Sequence, residues 1–197
     1  MIYLTGVLAA AEDIQAFCRA RNWPFCFIGG IAVQRWGEPR LTQDVDLTLL
    51  TGFGSEEAFV DTLLQSYSAR RTDAREFALA NRVLLLNAAN GTGIDIALGA
   101  FPFEQRSVER GSAWSWAEGR LLTTCSAEDL LVHKAFAGRN RDWADLELIL
   151  TRQHGKLNLS QVRSELGPLL ELKGELDGLE RLDRILATVD RRLRSKP

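Results

Sequence analysis

Apolar and polar residues alternate from Asp44 to Leu49. Val45, Leu47 and Leu49 fall on one side, and Asp44, Asp46 and Thr48 on the other. A period of two is the pattern of a half-buried strand, and 44–50 is read as one. Shorter runs predict strands at 25–28, 75–79, 83–87, 93–98 and 113–122. Asn90-Gly91 marks a hairpin between two of them. Spacings of three and four predict a helix over 9–22, with Leu8, Ile14 and Phe17 on its apolar side, stopped by Pro24. A short helix runs from Gly29-Gly30 to Trp36 and ends at Gly37, with Pro39 behind it. Ser55 opens a helix of about 15 residues with Phe59, Leu63 and Leu64 inward. Residues 101–110 form another short helix, and the chain from Ser126 onward reads as about four more. The pattern predicts an α+β fold, a small mixed β-sheet flanked by helices with a helical C-terminal part. The composition shift near 125 separates an α/β core, 1–125, from a helical region, 126–197, packed on it.

With 197 residues, 46% of them hydrophobic, the chain can bury one sizeable core. A formal net charge of −2 argues against a broad basic footprint for nucleic acid but not against a local one. Arg70, Arg71 and Arg75 form one local basic patch, and Arg191-Arg-Leu-Arg-Ser-Lys forms another. Each reads either as solvated surface or as a place for RNA phosphates. The three cysteines (Cys18, Cys26, Cys125) lack metal-ligand spacing and read as reduced thiols of a cytoplasmic protein. The leading segment is apolar but has no basic start, so it reads as the first element of the domain and not as a signal peptide. No apolar run approaches the ~18 residues a membrane span needs.

Asp44 and Asp46, two apart on a strand, project side by side. Two like charges that close are unfavourable unless a cation offsets them. Asp95 stands on the polar side of a later strand, between Ile94 and Ile96. Three such carboxylates are hard oxygen ligands suited to a divalent metal bridged to phosphates; the alternative is that each sits on a solvated strand face. Gly29-Gly30 opens a helix whose unpaired N–H groups suit phosphate, or else it forms a plain turn. Ser126 and Asp129 fit a capping box, which sets the register that places Lys134 on the face of Leu130 and Leu131. An inward lysine there needs an anion, or it snorkels from the edge of the apolar stripe. Asp142, leading into the face set by Leu146 and Ile149, is placed to anchor Lys134, to meet a bound cation, or to stabilise the helix start. Asp145 lies four residues beyond Arg141, at ion-pair spacing. His133 and His154 show no partner spacing and read as solvent or packing residues.

Gly29-Gly30 followed by Asp44-Val-Asp46 resembles the signature of the polymerase-β-like nucleotidyltransferase superfamily. The longer string, Gly-Gly-Ile-Ala-Val, Gly37, Pro39-Arg40 and Thr42-Gln-Asp-Val-Asp, is similar to the AbiEii-type bacterial branch, which includes the MenT-like toxins. Asp129-Leu-Leu-x-x-Lys134 and Arg141-Asp142-x-x-Asp145-Leu146 resemble that branch's second signature. The resemblance implies the nucleotidyltransferase fold and the transfer of NMP from an NTP to a hydroxyl acceptor. It implies that Gly29 and Gly30 hold the triphosphate, that Asp44, Asp46 and Asp95 bind Mg2+ (or Mn2+), and that Asp95 activates the acceptor hydroxyl. Lys134 would contact phosphate with Asp142 beside it, and Arg40 and Thr42 would brace the start of the strand. Ile31 stands where many superfamily members place a phosphate-touching serine. The implied acceptors are a tRNA 3′ end, as in the toxin members, a protein side chain or a small molecule, and the implied partner is a cognate antitoxin. Two alternatives stand beside this: an inactive nucleotide- or partner-binding module of a toxin–antitoxin system, and an antibiotic nucleotidyltransferase.

Overall fold

The computed structural model describes residues 2–175 and 177–195, with side chains from Thr5 onward. Met1, which opens the apolar leading segment, and Lys196, in the basic C-terminal run, lie outside the described residues. Contacts group the chain into two units: 1–31 with 40–125, and 32–39 with 126–197.

The first unit is built on a mixed seven-stranded sheet, in the order β3-β4-β5-β2-β1-β7-β6 among the described residues. Its strands are β1 (Phe25–Phe27), β2 (Asp44–Leu50), β3 (Ser68–Ala69), β4 (Val83–Asn87), β5 (Gly93–Gly99), β6 (Ser112–Ala117) and β7 (Arg120–Thr124). β2 pairs parallel with β5, and β1 parallel with β7; the other pairs are antiparallel. The helices of this part of the chain are α1 (Ile2–Ala20), α2 (Gly29–Trp36), α3 (Glu56–Leu64), α4 (Ala74–Asn81) and α5 (Pro102–Glu109). The alternation of β2, β4 and β5 sends Val45, Leu47, Leu49, Leu84, Leu86, Ile94, Ile96 and Leu98 into one core with Val7, Leu8, Ala11 and Ile14 of α1. The residues between them lie on the opposite face of the sheet. A Cβ on Gly99 would meet both Thr48 and Glu104, which places α5 over part of that second face.

Four elements differ from the sequence expectation. Residues 75–79 are helical, within α4, and not a strand: Ala74 and Ala78 are buried while Glu76, which a strand would put on the same face, is exposed. The stretch 113–122 is a hairpin, because Gly119 at φ +68° turns the chain between β6 and β7. α3 has nine residues, since the chain turns at Ser66 and enters the edge strand β3; Ser55 sits at its N-cap position but makes no side-chain cap bond. α1 starts at Ile2, before the expected position.

The second unit contains α6 (Ala127–Ala137), α7 (Asn140–Arg152), α8 (Leu159–Lys173) and α9 (Gly178–Arg194). α6 packs on α7 and α8, and α7 on α9. Ser126 caps α6 as its spacing predicts: its hydroxyl accepts from Asp129 N–H at 3.1 Å and donates to Asp129 Oδ2 at 2.7 Å. Residues 32–39 join this unit through α7, where Gln153 donates to the Trp36 carbonyl at 2.9 Å and Arg152 to that of Gly37. No described helix is long and apolar enough to cross a membrane.

Candidate functional site

In the parallel pairing of β2 with β5, Asp46 is in register with Asp95, and Asp44 with Gly93. Val45, Leu47, Ile94 and Ile96 occupy the core side. Asp44, Asp46 and Asp95 therefore share the other face of two adjacent strands. The start of α2 closes on this face, with Gly30 N–H donating to Asp46 Oδ2 at 3.2 Å. The positive end of the helix thereby meets a carboxylate.

The glycine pair is required by close approach. Gly29 has φ +52°, and a Cβ there would stand 2.1 Å from Asp46 Oδ2; one on Gly30 would stand 2.1 Å from Thr42 Oγ1. Thr42, buried, donates its hydroxyl to the Asp44 carbonyl at 3.3 Å, across the start of β2. Arg40 donates to the Leu41 carbonyl at 3.0 Å. Ile31, fully buried, belongs to the first unit's core, so this position serves packing here. Gly30→Ala is expected to drive Thr42 off its position and to destabilise by about 1–3 kcal/mol. Urea unfolding measures this, and an unchanged midpoint contradicts the close approach.

Two further residues lie on this face. A Cβ on Gly93 would stand 2.4 Å from Asp44 Oδ1 and 3.0 Å from Arg70 Nη1. Its signal in the sequence was a glycine two positions before Asp95, on the same side of the strand. Arg70, read only as part of a surface basic patch, forms an ion pair with Asp95 through Nη2 and Oδ1. Its backbone N–H donates to Leu85, the β4 residue opposite Asp95, which sets the side chain on the carboxylate face. Nothing local in the sequence signals that reach.

The donor set on this face, all carboxylate oxygens, suits a hard divalent cation. Among the described residues, however, no three His, Cys, Asp or Glu side chains are gathered into a ready metal-ligating group.

In the second unit, Lys134 is 6% exposed and lies between two carboxylates that are each 2% exposed. Its Nζ is 2.8 Å from Asp142 Oδ1 and 2.8 Å from Asp145 Oδ2. Arg139 Nε donates to Asp142 Oδ2 at 2.6 Å. Burial works against the charge on Asp142, but the hydrogen bonds and charges of Arg139 and Lys134 outweigh it and hold its carboxyl below the usual carboxylate value. Asp145 turns inward to this lysine; the four-residue spacing from Arg141 had not pointed there. Next to it, burial, and secondarily the Lys134 charge, push the His133 pKa down to about 4, so this imidazole is neutral at physiological pH. His154 Nε2 lies 2.9 Å from Asp190 Oδ1. The three cysteines are buried, and burial pushes the Cys18 thiol up to about 12, which makes it a poor nucleophile.

A family model described as "Nucleotidyl transferase AbiEii toxin, Type IV TA system" matches residues 19–195. The chain belongs to the AbiEii family. As an AbiEii protein it is a nucleotidyltransferase of a family assigned to toxin–antitoxin systems. No curated protein sequence matches it. Among solved structures, the solution structure of the antibiotic-resistance factor ANT(2'')-Ia is similar over 89% of this chain and 97% of that one, with 18% identity and a TM-score of 0.55. A nucleotidyltransferase-like antigenic protein from Paracoccidioides brasiliensis matches over 91% of each chain, with 16% identity and a TM-score of 0.48. The lincosamide antibiotic adenylyltransferase LnuA with lincomycin bound matches over 72% of this chain and 94% of that one, with 13% identity and a TM-score of 0.47. The likeness to the ANT(2'')-Ia structure shows that the AbiEii chain has the α+β nucleotidyltransferase fold.

Proposed function

We propose that this AbiEii protein transfers NMP from an NTP to a hydroxyl acceptor, with the chemistry on the Asp44–Asp46–Asp95 face. The supporting observation is the register of Asp46 with Asp95 on parallel neighbouring strands, with the Gly30 N–H facing Asp46. Asp44, Asp46 and Asp95 would hold a divalent cation, Mg2+ or Mn2+, which when bound offsets phosphate charge and polarises the phosphorus under attack. Gly29 and Gly30 would hold the triphosphate at the helix start, beside the Asp46 carboxylate for which Gly29 leaves room. Asp95 accepts the acceptor hydroxyl's proton as that oxygen bonds to the α-phosphorus, and the bond from the α-phosphorus to the pyrophosphate oxygen breaks. Thr42 and Arg40 brace the start of β2. By the resemblance Lys134 would contact phosphate, and Asp142 and Asp145 fix where its ammonium stands.

An RNA 3′ end is the acceptor that the family's toxins suggest by resemblance, and a cognate antitoxin is the corresponding partner. The test incubates the full chain with each α-labelled NTP and Mg2+ or Mn2+, in separate reactions with cellular RNA, with cellular protein and with an aminoglycoside. Label on one acceptor, with pyrophosphate released in equal amount, supports the proposal and names the acceptor class. Nucleotide binding without label or pyrophosphate in any reaction overturns it in favour of a binding module.

A further inference from the structure

We propose that Arg70 is the resident counter-cation of the carboxylate face: a positioning residue that must release Asp95 before that carboxylate can ligate a divalent ion. The inference rests on the metal-assisted reading above and adds to it a step in the resting protein.

Three observations carry it. Arg70 Nη2 engages Asp95 Oδ1, and among the described residues Arg70 is the one side-chain partner of Asp95. The same guanidinium shares its place over Gly93 with a second carboxylate: Arg70 Nη1 and Asp44 Oδ1 both lie against Gly93, 3.0 and 2.4 Å from where its Cβ would be. Lastly, the carboxylates share a face but are not drawn into a metal-ligating group. Asp46 and Asp95 are side by side in register, and like charges so placed destabilise strand pairing. A guanidinium beside them relieves that repulsion.

The pair is built to exchange. The Arg70 and Asp95 side chains retain 28% and 36% of their exposure, and ion pairs that open to water are weak. Arg70 follows the two-residue edge strand β3, so its side chain can swing away without opening the core. A divalent ion presents twice the charge to the same oxygens and binds them as ligands. Gly93 is what makes room: any side chain there would run into both Arg70 and Asp44.

The test measures Mn2+ binding to the nucleotide-free full chain by electron paramagnetic resonance, with circular dichroism as the check on folding. Arg70→Gln is expected to bind Mn2+ about fivefold more tightly than wild type, the scale set by loss of a partly exposed competing ion pair. Arg70→Lys keeps the charge but not the fork that spans Asp95 and Gly93, and should fall between the two. Should Arg70→Gln fail to fold, tighter binding by Arg70→Lys carries the test alone. Equal or weaker Mn2+ binding by the folded variants overturns the proposal, because it makes Arg70 a support for Asp95 and not a competitor. Asp46→Asn separates the two levels. If it abolishes Mn2+ binding while the Arg70 variants bind as wild type, only the Arg70 step falls. If it leaves Mn2+ binding unchanged, the metal reading of this face falls, and the Arg70 step with it.

Discussion

Asp46→Asn should lower nucleotidyl transfer about a thousandfold or more, the scale for losing a charged group that acts on a transferring phosphoryl centre. The same change should leave the thermal midpoint unchanged or raised. Asn keeps an oxygen in the place of Oδ2, so the hydrogen bond from Gly30 N–H (3.2 Å) is retained, and the side chain still fits above Gly29. What disappears is one of two negative charges set directly opposite each other on β2 and β5, an arrangement that works against strand pairing. Activity and stability should therefore move apart, as they do where a site is kept at some expense to the fold. A parallel fall in both, measured by labelled-NTP transfer and by thermal melting, would make Asp46 a structural residue. Full activity in the folded variant would remove the carboxylate face from the reaction.

The largest expected effect on stability belongs to Lys134→Met in the second unit. Methionine fills similar space, but it leaves Asp142 and Asp145 buried without the ammonium that lies 2.8 Å from each. Breaking a buried pair on one side costs about 3–5 kcal/mol. For a chain of this length that lowers the thermal midpoint by roughly 10 °C. The effect depends on pH in a set direction. Asp142 has a depressed folded pKa, so in wild type its contribution is full above the unfolded value, near 3.8, and is lost as pH falls through the folded value. In Lys134→Met, the buried carboxylates gain by protonation instead. The gap in melting temperature between variant and wild type should therefore narrow as pH drops from 7 toward 4. A gap that stays constant over that range would show that lost packing, and not stranded charge, causes the destabilisation.

Much of the fold was legible because the signals are local. The extent of β2 follows from its alternation, that of α2 from Gly29-Gly30 and Gly37, and the start of α6 from its capping serine. The failures had local causes too. Residues 75–79 are too few to tell a period of two from one of 3.6, and Gly119 was the only mark of the turn between β6 and β7. The candidate site was half legible. That Asp44 and Asp46 share a face, and that Lys134 lies on the face of Leu130 and Leu131, follow from the repeat of a single element; that Lys134 is buried there does not. Arg70 was not readable as part of it, since it reaches across β4, and Gly93 showed only as a glycine two positions before Asp95, which matters through the space it leaves empty.

The sequence by itself determined the two acidic positions on one strand face, the glycine-opened helix that follows β1, the capped start of α6 and the membership of the nucleotidyltransferase family. These rest on backbone periodicity and on the sterics of neighbouring residues, which act over a few positions. Only the tertiary structure decided which strand lies beside β2, that Asp95 rather than a neighbour faces Asp46, that Arg70 covers Asp95, and that both Asp142 and Asp145 meet Lys134. Strand order and register are chosen by burying apolar side chains from distant parts of the chain, and a shift of one residue would turn every carboxylate to the other face.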